Sequence, residues 1–565
     1  MLVDLLTARG EELLSSGEMP WQVYPRPQMR RDSYVNLNGP WEFAVNYESQ
    51  GHIRLPFCPE SRLSAIGQHY EEGSFLSYSR EFTLPEDFNR GKVLLHIGAA
   101  DQRAEVFLNG KPVGSHQGGY ESFSLDITHA LQKQNRLTIC CFDDLEDQAY
   151  PYGKQTMNRG GMWYTPVSGI WQTVWLESVP ENYIQKLNIE NRGYGVTISV
   201  EPAMAGKVIV PAIGEFMLTD GAVTITPENP NLWSPDNPYL YDFTLETQED
   251  KVESYFAIRS LEVKKVGNYP RLCLNGKPYF FHGLLDQGYW PDGIFTPAKP
   301  ECYADDILAM KRLGFNTLRK HIKVEPEEFY YQCDKLGMIV FQDMVNNGPY
   351  HYFRDTVLPT ILPGSQTRSD KQFHTDPRQQ KLFLQGMEAT VRQLKNHPCI
   401  CYWTIFNEGW GQFDSDRVCD LFRKLDDTRF IDATSGWFRR KNTDVDSRHV
   451  YFRKVKLKGD GKKPLVLSEF GGKTFRCHNH LFNPDKTYGY GGCESLQALA
   501  TAMKALYMDE VLPCVKNGLC AAIYTQVSDV EDEINGIVTY DRKVEKLTPE
   551  TMRPIAVALR KAVEE

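Results

Sequence analysis

A chain of 565 residues has room for roughly three or four domains, each large enough to bury its own core. Its 63 Lys+Arg against 73 Asp+Glu leave it mildly acidic, which argues against a nucleic-acid partner, and no apolar run approaches the ~18 residues of a membrane span. The 13 cysteines show no CxxC pair and no short disulfide framework, and the opening MLVDLLTARGEELL has no apolar leader core, so a cytoplasmic chain with reduced, buried thiols is expected.

From Trp21 to about Pro180 short alternating segments are separated by turn residues: Trp41–Val45, Tyr78–Leu84, Lys92–Ile97, Ala104–Leu108, Arg136–Cys141 and Ile170–Leu176. Strands at such spacing predict a β jelly-roll sandwich over residues 1–180, with Asn109-Gly110 as a hairpin turn. Read as one strand, Ile170–Leu176 puts Trp171, Thr173 and Trp175 on a common face, where core or interdomain packing is favoured over a sugar platform.

Residues 181–263 continue in the same style, with Lys186–Ile189, Val196–Val200, Lys207–Val210, Ala222–Ile225, Tyr239–Glu246 and Tyr255–Ile258. They fit a small immunoglobulin-like β-sandwich without an ionisable cluster, hence a spacer.

Over residues 264–565 strand-like runs alternate with helical ones, beginning with Tyr279–Gly283 and helix Cys302–Leu313, and eight strands can be counted. That is the number of a (β/α)8 TIM barrel. Its sixth unit, around Asp444–Arg453 with the strand-like run placed at Val450–Arg453, is the weakest, and the polar stretch 350–376 is too long for an ordinary connection, which makes it a candidate functional loop.

Two of these strands end in acids. Ile400–Phe406 runs into Asn407-Glu408-Gly409-Trp410, and Leu465–Leu467 delivers Glu469 against Gly471-Gly472. If both strands are parallel staves of one barrel, both carboxylates emerge on its C-terminal rim, where barrel enzymes keep their chemistry. Two facing carboxylates are the equipment of glycoside hydrolysis.

Jelly roll, immunoglobulin-like sandwich and barrel in this order, with Asn407-Glu408 after strand four and Ser468-Glu469-Phe470-Gly471 after strand seven, resemble glycoside hydrolase family 2, which includes β-galactosidases, β-glucuronidases and β-mannosidases. Ser168–Glu177 is similar to that family's N-terminal signature, and Asn396-His397-Pro398 to its barrel signature. The resemblance implies a retaining exo-β-glycosidase with Glu408 as acid/base, Glu469 as nucleophile and Asn407 on the sugar's 2-hydroxyl. It also implies Arg319 beside the nucleophile and Tyr524 as an aromatic of the barrel floor. Asp286 is the first choice for a sugar-hydroxyl contact, and Trp410 and Trp437 are candidate stacking surfaces, with core packing as the alternative for all three aromatics. His321 and Lys323 depart from the family pattern, so no substrate contact is assigned to them.

The resemblance favours a β-galactoside-like substrate. Members that cleave glucuronides carry an Asn-x-Lys motif, whereas the loop after strand eight here is the acidic Asp529–Gly536. A glucuronidase or galacturonidase would need a non-standard carboxylate site, for which Lys323, Lys473 and Arg476 are the available cations. The Glu-x-His metal pair of some members is absent from Met344–His351, so no metal or cofactor is expected, and Cys477–His480 reads as a solvated loop. The rival class is a non-catalytic carbohydrate-binding protein on the same scaffold. Homo-oligomerisation is left open.

Overall fold

The computed structural model describes residues 2–71 and 73–564. Among the described residues the jelly roll pairs a six-stranded with a four-stranded antiparallel sheet, and the immunoglobulin-like unit pairs sheets of three and four strands. Trp41, Phe43, Val93, Leu95, Val106 and Ile139 fill the first sandwich, and Ile189, Ile198, Val208 and Leu245 the second. The predicted Ile170–Leu176 strand is two strands, Gly169–Ile170 and Val174–Val179. The break turns Trp171 out of the sandwich: its Nε1 donates to Gly119 O at 2.8 Å, and its ring packs on Phe295 of the barrel unit. Trp171 is therefore interdomain cement, while Trp175 stacks on His96.

The barrel strands are Phe281–Asp286, Thr317–Lys320, Ile339–Asp343, Ile400–Asn407, Phe430–Ser435, Asp446–Val450, Leu465–Gly471 and Leu519–Thr525. Strand four is buried along its whole length, as expected of a parallel stave covered on both faces. Strand six lies about four residues earlier than the sequence suggested. The ladder is parallel and joins every neighbouring pair except five and six among the described residues. Helices follow strands one to four, seven and eight; among the described residues none follows five or six.

The helix Pro377–Leu394 illustrates the outer layer. Asp376 caps it by accepting from Arg378 N, and Phe383, Met387, Val391 and Leu394 form the buried stripe at helical spacing. Inside the barrel, Phe341 and Tyr402 stack with ring centres 4.2 Å apart, part of a core filled by side chains.

Buried polar ties lock the three units together. Asn396 donates through Nδ2 to Leu187 O (2.7 Å) and accepts from Ile189 N (2.9 Å), and Arg259 donates to Pro398 O and Ile400 O, both at 2.7 Å. The Asn396-His397-Pro398 segment thus fastens barrel to spacer. Arg31, buried between the two sandwiches, pairs with Glu177 (3.2 Å) and Asp250 (2.7 Å). Removing one partner from such a pair strands a buried charge, at a cost of about 3–5 kcal/mol.

Candidate active site

The C-terminal rim of the barrel, together with Lys154 and Met162 of the jelly roll, lines a cavity of about 390 Å³ into which Glu408 and Glu469 both open. The chain reaches Glu408 through a tight turn: Trp410 N donates to Asn407 O at 3.1 Å, and φ is +53° at Glu408 and +80° at Gly409. A non-glycine residue held at positive φ stores strain, which collects where a side chain must be aimed. Gly409 has no alternative, because a Cβ there would sit 2.5 Å from the Phe438 ring.

Glu469 stands beside His449 on the neighbouring strand, just past a register shift at Arg448/His449. Such a bulge re-aims side chains. One ligand-bearing atom each of Glu408, His449 and Glu469 lie within 4.8 Å of one another. Among the described residues this is also the one group with metal-like spacing, and it is formed by the acid pair itself.

The two carboxylates have unequal surroundings. Glu469 accepts from Arg319 Nη1 (3.0 Å) and from the Tyr451 hydroxyl (2.9 Å). Arg319 is fully buried and also binds Asp343, Ser468 O and Asn407 Oδ1, so one guanidinium fixes the nucleophile candidate and its neighbouring amide. Burial opposes the Asp343 charge, but Arg319 and a hydrogen bond with His321 (2.8 Å) hold its carboxyl below the ordinary value. The Glu408 carboxylate has one hydrogen bond among the described residues, with His449 Nδ1 at 2.7 Å. Burial pushes the Glu408 carboxyl up, against an opposing pull from the Lys154 charge. Burial likewise brings His449 down to about 3, so the imidazole is neutral at neutral pH. The arrangement favours the protonated form of one acid and surrounds the other with donors, the kind of asymmetry that retaining glycoside hydrolysis uses.

Of the predicted contact residues, Arg319 binds Glu469 and Asn407 binds Arg319, both buried beside the pair and not among the residues that line the cavity. Trp437 lines the cavity edge-on to His449, with its Nε1 unpartnered. Asp286 points elsewhere: it pairs with Lys320 at 2.7 Å and accepts from Gly288 N. Tyr524 is buried with its hydroxyl accepting from Lys473 N, and Trp410 donates to Gly348 O and packs on Tyr152 and Trp163; neither lines the cavity. His321 does line it, whereas Lys323 is consumed by Glu325 and two backbone carbonyls. Arg476 bonds within its own exposed loop. His480 of the Cys477–His480 stretch pairs with Asp541.

Sequence reasoning missed His449, Tyr451, Gln287, Glu533 and Lys154, all on the cavity wall. The signal for the first two was a His-x-Tyr at a strand exit, obscured by the misplaced sixth strand. The 350–376 stretch folds into short helical turns and roofs the cavity with Tyr350, Tyr352, Val357 and Ile361.

Comparison with known proteins places this geometry in a family. The models "Glycosyl hydrolases family 2, TIM barrel domain", "Glycosyl hydrolase 2 galactose-binding domain-like" and "Glycosyl hydrolases family 2" match residues 265–551, 40–164 and 180–259. The chain belongs to glycosyl hydrolase family 2. It is 24% identical over 495 residues to a β-galactosidase of Thermoanaerobacter pseudethanolicus, covering 80% of this chain and 60% of that one. It is 26% identical over 453 residues to a β-glucuronidase of Felis catus, covering 68% and 65%. The chain thus spans less than two thirds of either relative. Among solved structures, the β-D-glucuronidase of Dictyoglomus thermophilum superposes with TM-score 0.71 at 18% identity, over 96% of this chain and 98% of that one. A β-galacturonidase of Eisenbergiella tayi bound to galacturonate superposes with TM-score 0.66 at 19% identity, over 96% and 99%. Among the described residues no helix is long and apolar enough to cross a membrane.

Proposed function

We propose that the chain is a retaining exo-β-glycosidase that removes a terminal uronic acid, a β-glucuronide or β-galacturonide, by double displacement. The observation that carries the hydrolase reading is the approach of Glu408 and Glu469 to within 4.8 Å with unequal hydrogen bonding. That separation belongs with the ~5–5.5 Å of retaining sites and not with the ~6.5–9.5 Å that an inverting enzyme leaves for water.

In the first step Glu408 gives its proton to the departing glycosidic oxygen while Glu469 attacks the anomeric carbon. The C–O bond to the leaving group breaks and a glycosyl ester forms. In the second step the Glu408 carboxylate takes a proton from water, whose oxygen attacks the same carbon and expels Glu469. The Asn407 amide, oriented by Arg319 through its oxygen, has its nitrogen available for the 2-hydroxyl. Trp437 Nε1 and the unpartnered Gln287 Oε1 are further hydroxyl contacts.

The uronide reading is supported by the names of similar solved structures, glucuronidases and galacturonidases. The galactoside reading keeps support from curated relatives that include β-galactosidases. A panel of nitrophenyl β-glycosides tests both: kcat/KM is expected to be highest for a uronide. A galactoside preference would restore the other substrate, and no turnover with any sugar would leave a carbohydrate-binding protein.

A further inference from the structure

We infer that Lys154, contributed by the jelly roll and not by the barrel, is the residue that reads the carboxylate of the terminal sugar. The inference rests on the uronide reading above.

The cavity wall is rich in acid. Glu408, Glu469 and Glu533 all line it, and burial raises the carboxyl of Glu533. An anionic sugar entering such a space needs a cation that is not already neutralised. The barrel's buried cations near the site are spent: Arg319 on Asp343 and Glu469, Lys320 on Asp286 and Glu325, Lys323 on Glu325. Lys154 lines the same cavity and has no ion pair or side-chain hydrogen bond among the described residues. Its ammonium lies over the Trp163 ring, 5.5 Å from the centroid, which steadies a charge without cancelling it. Arg453, the other cation on the wall without an ion pair among the described residues, is exposed at the mouth beside the solvent-facing Phe452, where it would meet the aglycone before the terminal sugar.

Lys154 is also held in place from both sides. Tyr152 N and Gly153 N both donate to Asn346 O, at 3.1 and 3.2 Å, and the Tyr152 hydroxyl donates to Gly348 O at 2.8 Å. Gly153, at φ +65°, lies so close to the barrel that a Cβ would stand 2.9 Å from Ile322 O. On the other side the buried Gln155 donates to Asp101 Oδ2 (3.1 Å) and accepts from Val167 N (2.7 Å). A loop stapled to the barrel immediately before a lysine, and to its own sandwich immediately after it, delivers that lysine across a domain boundary. The site thereby gains a carboxylate contact that needs no Asn-x-Lys motif in the barrel.

The test compares kcat/KM on 4-nitrophenyl β-glucuronide and β-galacturonide with the neutral β-glucoside and β-galactoside, for the full chain and for Lys154→Met and Lys154→Arg. The uronide-to-neutral ratio is expected to fall roughly 100-fold in Lys154→Met, as for loss of one partner of a desolvated charge pair, and to stay within about tenfold in Lys154→Arg. In the unmodified protein, the methyl ester of the preferred uronide should lose a similar factor. An unchanged ratio in Lys154→Met, or an equal loss on charged and neutral substrates, would overturn the inference; the latter would mean that Lys154 serves Glu408 instead. An unmodified chain that cleaves neutral glycosides and no uronide would overturn the substrate reading itself, and the panel shows this before any variant is made.

Discussion

Glu408 and Glu469 are the same residue type at the exits of two staves of one barrel, yet their surroundings differ in almost every respect. Glu469 receives a guanidinium and a phenol hydroxyl, and the guanidinium is itself fixed by three further acceptors. Glu408 sits on a strained turn with a single neutral imidazole as partner, and burial raises its carboxyl. The difference teaches that, in the proposed mechanism, acid and nucleophile are distinguished by what their neighbours donate, not by their own chemistry or by their place in the barrel.

The comparison can be broken from either end. Truncating the proposed nucleophile has the largest expected effect: Glu469→Ala should lower kcat on the order of 10⁴-fold or more on every substrate, measured by steady-state release of nitrophenol. Next comes the proposed acid. Glu408→Gln should cost about 10²–10⁴-fold on alkyl glycosides, which need protonation to depart, and much less on nitrophenyl glycosides. The same residue sets a pH limb. In the proposed mechanism Glu408 acts protonated in the first step, so the rate on poor leaving groups falls as pH rises through its carboxyl pKa. Because burial raises that value, the midpoint should lie above the ordinary carboxylate range, and the limb should vanish in Glu408→Gln. An unchanged alkaline limb in that variant would remove Glu408 from the acid role.

A smaller effect separates the pair's shared neighbour. His449 touches Glu408 at 2.7 Å and lies 3.5 Å from Glu469, without being placed to attack or protonate. His449→Ala should reduce kcat roughly 10–100-fold on poor leaving groups and move the alkaline limb, as expected when a general acid loses its orienting hydrogen bond. A change in KM alone would mean that the imidazole serves the sugar instead.

Much of this site could be read from the chain alone, and the reasons are local. Ile400–Asn407 and Leu465–Gly471 are apolar runs that stop at an acid and a glycine, a pattern that buried parallel strands impose on sequence. Strand six is different. It carries Asp446 and Arg448 and ladders with strand seven alone among the described residues, so its sequence is polar; a reading that looked for apolar continuity slid to Val450–Arg453 and left His449 outside the strand. Lys154 was hidden for another reason. It belongs to a loop of the first domain, and folded contacts of Tyr152 and Gly153 with Asn346, Gly348 and Ile322 bring it to the barrel rim. Asp286 shows the converse: a carboxylate at a strand exit beside aromatics suited a sugar in sequence, but the chain supplies Lys320 as its partner.

The central claim, that Glu469 is the group that becomes bonded to the sugar, is tested most directly by chemical rescue of Glu469→Ala with azide. The cavity left by the lost carboxylate admits the anion on the face opposite the leaving group. The account predicts restored turnover and a glycosyl azide whose anomeric configuration, read by NMR, is inverted relative to the substrate. A rescued product of retained configuration would contradict it and place the nucleophile elsewhere.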